Sequence, residues 1–198
     1  MATKNISRRD LLKSLTIGVT AGSVLSMIPV EAAEHAHKLI AKEKADAGGT
    51  YKPKYFSPDQ YKTLKLLCET IFPADAGSGG AIEAGAPEFI DLLTSENPDY
   101  QLTLGGGIMW LDNTCLDRYS TTFRNSTPAQ QKEILDLIAY KKNAEAYDEI
   151  SQGVEFFSFL RNLTADGFFT SEIGIKYLGY VGNTHLKEFT GCPPIPEA

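Results

Sequence analysis

This sequence contains few of the side chains that catalytic and metal-binding sites usually require. Among 198 residues there are only three histidines and three cysteines. The cysteines, Cys68, Cys115 and Cys192, are spaced too widely for a C-x-x-C redox motif, a c-type haem attachment or a structural zinc site. The net charge is −6 and no basic stripe is present. This composition argues against nucleic acid as a partner, because phosphate binding needs clustered Lys and Arg.

Sequence motifs for nucleotide phosphates and for paired metal ions are also missing. The glycine-rich loop from Gly77 to Gly85 does not match G-x-G-x-x-G, no β-α-β pattern surrounds it, and the chain has no G-K-[ST] motif. A di-metal helical bundle would need Glu-x-x-His, which is absent. A group of carboxylates is therefore interpreted as a solvated helix face: Glu145, Asp148, Glu149 and Glu155.

One histidine is the best candidate for acid–base chemistry. His35 and His37 are predicted to lie in a polar arm, so a Ser-His-acid triad in the folded domain would depend on His185. An independent envelope hydrolase that uses His185 is one hypothesis, although a lone histidine is usually structural or exposed. We therefore assign no catalytic, cofactor-binding or metal-binding residue, and the sequence favours a subunit or binding role.

The first 32 residues have the layout of a signal peptide. Positive residues up to Lys13 precede an uncharged stretch from Ser14 to Val30, which is shorter than a spanning helix of about 20 apolar residues. Val30-Glu31-Ala32 places small residues where a signal peptidase recognises its substrate, so residues 1–32 are predicted to be removed. An uncleaved anchor and a cytosolic amphipathic helix are the alternatives.

The motif SRRDLLK resembles the twin-arginine export signal, with leucine where phenylalanine is commoner. The residues that carry the resemblance are Ser7, Arg8, Arg9, Leu11, Leu12 and Lys13. It implies transport of a folded protein by the twin-arginine translocase to the periplasm or cell envelope, where partners could hold it at the membrane. Without residues 1–32 the chain would have 15 positive and 23 negative residues, a net charge of −8.

Helical patterns dominate the rest of the chain, and strand-like alternation is absent. Residues 33–54 are polar and are predicted to form an arm or linker, and residues 55–198 a single α-helical domain. The predicted fold class is all-α, a small irregular bundle of about five helices with a long C-terminal segment rich in glycine and aromatics. The predicted helices begin near Pro58, Pro87, Gln101, Pro128 and Glu145.

The C-terminal segment contains several glycines and several aromatic side chains. Aromatic side chains are energetically costly to leave in water. Residues 177–192 therefore either pack on the chain's own helices or bind a partner, and both alternatives stay open at this point. The candidate interface residues are Tyr177, Tyr180, Gly182, Asn183, Phe189 and Cys192.

Three further stretches, in this order, resemble the gluconate 2-dehydrogenase subunit 3 family. They are YFSPDQYKTLKLLCETIFPAD with an I-F-P-x-D element, AGAPEFIDLL, and YLGYVGNTHLKEFTGCP with a G-x-x-G-N element. The resemblance covers most of residues 55–194. It implies a non-catalytic small subunit that aids the folding and export of a large flavoprotein of the glucose-methanol-choline type. FAD would belong to that partner, which oxidises a sugar, a sugar acid or a polyol, often together with a cytochrome c subunit.

Two points stay open beside this resemblance. An independent envelope binding or scaffold protein with an unrelated partner is the alternative function. The odd number of cysteines suggests a disulfide in an oxidising envelope. We hypothesise that Cys192 links to the large subunit, and pairing of Cys192 with Cys68 or Cys115 is the competing hypothesis.

Overall fold

The computed structural model describes residues 28–180 and 182, and these residues form an all-α fold without β-strands. The predicted fold class is confirmed. The helices are α1 Val30–Asp46, α2 Pro58–Ile71, α3 Ala86–Glu96, α4 Pro98–Tyr100, α5 Gly106–Tyr119, α6 Pro128–Ile138, α7 Lys141–Ala146, α8 Ser151–Phe169 and α9 Glu172–Tyr177. A π-helical turn, Gln101–Gly105, joins α4 to α5, and 3-10 turns cover Phe123–Asn125 and Asp148–Ile150.

Part of the predicted functional set lies outside the described residues, and the assignments there stay predictions. The residues concerned are Ser7, Arg8, Arg9, Leu11, Leu12, Lys13, Asn183, His185, Phe189 and Cys192.

Helices α2 and α6 begin where the sequence predicts. The Ser57 side chain accepts a hydrogen bond from the Gln60 N–H, and the Gln60 side chain accepts one from the Ser57 N–H. Thr127 and Gln130 form the same reciprocal pair. A proline follows each capping residue, where its missing N–H costs nothing because the first helical N–H groups have no partner within the helix.

The predicted polar arm at residues 33–54 is wrong, because its first part is a helix with one face buried against the core and its last part is anchored by a buried tyrosine. Residues Ala33, Ala36 and Ile40 of α1 are buried, and so is Tyr51 beyond the end of this helix. Helix α1 packs on α3. Its apolar face consists mainly of alanine between charged residues, so its composition looks polar although the small apolar residues recur at helical spacing.

Helix α8 occupies the centre of the fold and contacts α2, α3, α5, α6, α7 and α9. Its Phe156, Leu160 and Leu163 side chains are buried. Helix α5 comes close to α8 at Gly107, where a Cβ atom would overlap the Phe156 ring. The absence of a side chain at this position therefore sets the distance between the two helices.

Two of the three cysteines are free, buried thiols, Cys68 and Cys115. Burial raises the pKa of the Cys68 thiol to about 12, so this thiol stays protonated at neutral pH and is a poor nucleophile for disulfide exchange. The disulfide hypotheses for Cys192 stay predictions, since that residue is not described.

Candidate partner-binding surface

An open groove of about 850 Å³ lies between α1 and α9. Its walls are formed by α1, by the turn at residues 83–85 and by residues 169–180, and its lining is mostly apolar. The lining includes Val30, His37, Ile40, Ile175, Leu178 and Tyr180. A groove of this size and polarity suits apolar side chains of another molecule, with a few polar groups to orient them.

Helix α9 is held against the end of α8 by a short polar turn. The Ser171 hydroxyl donates to the Phe168 carbonyl oxygen at 2.7 Å and accepts from the Gly174 N–H at 3.1 Å, which caps α9. Gly174 has no room for a side chain, because a Cβ atom would overlap the Phe168 carbonyl oxygen. The direction of α9 is thus fixed by backbone contact, and this direction decides which of its side chains face solvent.

Four apolar residues at this end of the chain form an exposed cluster, which we call the C-terminal patch: Ile175, Tyr177, Leu178 and Tyr180. Their exposed fractions are 37%, 52%, 59% and 54%, respectively. Single exposed apolar residues are normal on a soluble protein, whereas several of them close together are typical of a contact surface. Tyr177 lies two residues after Ile175 and therefore on another side of α9. The patch is continuous with the groove, because Ile175, Leu178 and Tyr180 line both.

A Schellman turn shapes the patch. The Tyr180 N–H donates to the Ile175 carbonyl oxygen at 3.2 Å, and the Gly179 N–H donates to the Lys176 carbonyl oxygen at 3.0 Å. Gly179 has a left-handed φ of +66°, which glycine adopts without steric cost. The turn reverses the chain after α9 and brings the backbone of Tyr180 beside that of Ile175.

The structure brings part of the predicted interface together. Tyr177 and Tyr180 both belong to the C-terminal patch, and Gly182 follows it with a left-handed φ of +87°. By contrast, Phe168 is buried and stacks on Phe72, with the ring centroids 5.2 Å apart. The half-exposed Tyr177 ring lies edge-on to Phe168 at 6.4 Å between centroids, so it connects the packed aromatic residues to the exposed surface. Partner binding by the exposed residues stays a prediction.

A neutral histidine is one of the polar residues that line the groove. His37 Nε2 lies 2.9 Å from Thr170 Oγ1, and its ring stacks on Phe89 at 5.1 Å between centroids. Since the Thr170 hydroxyl donates to the Asp166 carbonyl oxygen at 2.6 Å, it accepts from His37, and Nε2 therefore carries the proton. Burial lowers the pKa of His37, which keeps the ring neutral at neutral pH.

His37 was not predicted from the sequence to be a groove residue, because the helix that carries it was predicted to be an arm. The available signal was the spacing of Ala33, Ala36 and Ile40, which places one face of residues 33–40 against a core. Two ion pairs accompany that face. Lys44 and Glu88 lie 2.9 Å apart and join α1 to α3, and Glu34 and Lys38 pair at 2.6 Å on the groove wall.

Asp166 is a partly buried carboxylate next to the groove. Burial raises its pKa from 3.8 to about 6, and a hydrogen bond from the Ile28 N–H opposes the shift. Well below pH 3.8 the carboxyl is protonated in both the folded and the unfolded chain. Between pH 4 and pH 6 the unfolded chain loses this proton while the folded chain keeps it, so the folded state loses stability as the pH rises.

We expect Asp166→Asn to raise the free energy of unfolding at pH 7 by about 1–2 kcal/mol, after discounting for partial exposure. The gain should shrink as the pH falls from 6 and nearly vanish well below pH 3.8, where the wild-type carboxyl is protonated in both states. Urea unfolding across this pH range measures the effect. Asp117→Asn, at an exposed position of α5, should leave the pH profile unchanged, and a gain from Asp166→Asn that is constant with pH would contradict the assignment.

Within the described residues, no group of three or more His, Cys, Asp or Glu side chains is placed to hold a metal ion. None of the helices in the same part of the chain is long and apolar enough to cross a bilayer. The features that stand out at this surface are therefore the groove and the C-terminal patch.

Comparison with known proteins gives one match. A family model described as Gluconate 2-dehydrogenase subunit 3 matches residues 58–187, about two thirds of the chain. The match includes helices α2 to α9 and the whole C-terminal patch, whereas α1 precedes it. Searches of curated proteins and of solved structures found no match.

Proposed function

Since this chain belongs to the gluconate 2-dehydrogenase subunit 3 family, we propose that it is the non-catalytic small subunit of an exported, FAD-dependent dehydrogenase. The family match supports a subunit of a gluconate 2-dehydrogenase-like complex. The more detailed part of the proposal concerns the identity of the partner and the export route. The partner is a large flavoprotein of the glucose-methanol-choline type that oxidises a sugar, a sugar acid or a polyol, and it can be joined by a cytochrome c subunit.

The observation that carries this proposal is the C-terminal patch within the family-matched region. The orientation of α9, which carries Ile175 and Tyr177, is fixed by Ser171 and Gly174. Leu178 and Tyr180 lie in the Schellman turn that ends this helix, so the exposed surface is preordered. Aromatic residues on a rigid element lose little conformational entropy on binding and are frequent at the centres of interfaces. We assign this patch to the flavoprotein.

The proposed roles of the two subunits explain why the export signal and the redox chemistry reside on different chains. A flavoprotein acquires FAD while it folds in the cytoplasm, and a route that carries folded proteins can export it together with the small subunit. The small subunit then contributes the binding surface and the twin-arginine signal that includes Arg8 and Arg9. FAD and the electron-transfer steps belong to the partner.

Replacing Arg8 and Arg9 together by lysine should leave both chains in the cytoplasm. The twin-arginine pair is the recognised feature, and lysine keeps the charge while removing the guanidinium groups. Cell fractionation with antibodies against both chains measures the effect, and purification of the wild-type complex should yield a yellow, FAD-containing chain. Non-reducing electrophoresis of the same sample tests the Cys192 link to that chain.

The control is Lys4→Arg with Lys13→Arg, which alters neighbouring positive residues and should leave export intact. Normal export of the flavoprotein beside the Arg8→Lys/Arg9→Lys subunit would contradict the shared signal. Purification with a partner that contains no flavin would instead favour the alternative, an independent envelope binding or scaffold protein.

A further inference from the structure

The bond at which the leader is predicted to be removed lies inside a folded helix. Helix α1 begins at Val30, and the Ala33 N–H already donates to the Pro29 carbonyl oxygen at 3.0 Å. The side chains on both sides of the predicted cut, Ala32 and Ala33, are each 0% exposed. The recognition residues and the bond between them are therefore part of the first helical turn and of its buried face.

The residues just before the helix are also held to the fold. Ile28 is partly buried and packs against the core cluster. Further along α1, Ala36 is 0% exposed and Ile40 is 5% exposed, so the helix face that begins at Ala32 continues into the core. Presenting the cut site in an extended form would require Ile28, Ala32 and Ala33 to leave their contacts together.

A peptidase binds its substrate as an extended strand, so a helical and buried site is cleaved only from an opened state. The export route matters for this reason. A chain exported in an unfolded form would meet the peptidase before α1 forms, whereas a chain carried in a folded form meets it afterwards. The inference that follows rests on the proposed twin-arginine export of a folded complex.

We infer that the bond between Ala32 and Ala33 stays intact after export, and that the exported subunit keeps its N-terminal leader. The first turn of α1 protects the site, because Ala32 and Ala33 belong to a helix that packs on the rest of the domain. The mature chain accordingly retains its full charge balance of −6 instead of −8, and it retains the uncharged stretch from Ser14 to Val30.

The test uses the purified full-length chain in detergent micelles with purified signal peptidase I, followed by intact-mass measurement. A matched positive control carries a second copy of Ile-Pro-Val-Glu-Ala-Ala followed by Gly-Ser, inserted between Met27 and Ile28. This copy precedes Ile28 and adds no residue to α1, and circular dichroism of the inserted chain checks that its helix content matches that of the native chain. We expect cleavage within the inserted copy to be at least about 100-fold faster than cleavage after Ala32 in the native chain, because the native site must first open.

In cells, the N-terminal sequence of the exported subunit provides the second measurement. A chain that retains the leader supports the inference, whereas a mature N-terminus at Ala33, or cleavage of the folded chain after Ala32 at the rate of the inserted copy, overturns it. The fractionation experiment reports separately on export: a subunit found only in the cytoplasm would contradict the proposed function, and the peptidase assay on purified protein would still decide whether α1 protects the site.

Discussion

Asp91→Ala should lower the free energy of unfolding by about 3–5 kcal/mol, the largest effect on stability that we expect from a single substitution. Asp91 lies on α3 with 0% of its surface exposed. Its carboxylate accepts from the Tyr51 hydroxyl at 2.8 Å and from the backbone N–H groups of Lys54, Tyr55 and Phe56 at 2.7, 3.2 and 3.1 Å. Alanine would leave these four donors without their acceptor.

The size of the effect follows from the position of the donors. Tyr51 and Phe56 are buried, so water cannot replace the carboxylate at their groups without opening the segment. That segment, residues 51–56, connects α1 to α2, and its detachment would also loosen the packing of α1 on α3. The loss should therefore appear in the stability of the whole domain and in the protection of α1 from proteolysis.

Urea unfolding followed by circular dichroism measures this difference, with two variants for comparison. Asp91→Asn keeps one carbonyl acceptor and should be destabilised by a smaller amount than Asp91→Ala. Asp117→Ala removes an exposed carboxylate from α5 and should change the free energy of unfolding by about 0.5 kcal/mol or less. Equal stability of Asp91→Ala and Asp117→Ala would show that the carboxylate does not hold the 51–56 segment.

Replacing Tyr177 and Leu178 together by glutamate should weaken binding of the flavoprotein at least about 100-fold. Both side chains are more than half exposed, at 52% and 59%, so the isolated subunit loses little packing apart from the edge contact of Tyr177 with Phe168. In the complex, two carboxylates would replace apolar contacts and would have to lose their hydration without a designed partner. The expected result is loss of co-purification with an unchanged fold of the small subunit.

The matched control replaces Tyr140 and Tyr147 by glutamate. Each of these tyrosines is 58% exposed, and the two flank α7. In the sequence they are separated from α9 by the whole of α8. Titration of the purified flavoprotein with each variant measures affinity, and thermal unfolding of each variant checks its fold. Wild-type affinity in the Tyr177/Leu178 variant would contradict the assignment of the patch.

A second exposed apolar set offers a direct comparison within the same assay. Leu102, Met109 and Leu116 are 77%, 60% and 46% exposed and recur every seven residues from the π-helical turn through α5. Met109→Glu should leave flavoprotein binding unchanged if the C-terminal patch is the contact. A loss of binding in Met109→Glu together with normal binding in the Tyr177/Leu178 variant would relocate the interface to α5.

The sequence predicts correctly those structural features that depend on residues close to each other along the chain. Ser57 with Gln60 and Thr127 with Gln130 fix helix starts through hydrogen bonds within four residues, so their positions follow from the sequence. The same holds for the all-α class, because recurring apolar residues at helical spacing need no knowledge of the partner helix. Family membership also depends on ordered local motifs, and the matched span, residues 58–187, includes the I-F-P-x-D and G-x-x-G-N elements.

The packing of helix α1 against the core could not be predicted from local sequence patterns. Its apolar face is built largely from alanine, whose burial is weakly favourable and whose presence among Lys, Glu and His residues does not distinguish a packed helix from a polar arm. Its position depends on α3, through Lys44 with Glu88, and on the Asp91 carboxylate that holds the segment after it. These partners are separated by 35 or more residues, and no local pattern identifies them.

The sequence alone determined the helical class, the capped helix starts, the family and the aromatic composition of the C-terminal segment. Tertiary structure alone decided that Ala32 and Ala33 are inaccessible, that His37 is a neutral groove residue and that Phe168 is buried while Tyr177 and Leu178 are exposed. The physical reason is that the exposure of a side chain depends on the contacts between secondary-structure elements. It depends on which helix lies opposite a side chain, and that is fixed by packing across the whole domain.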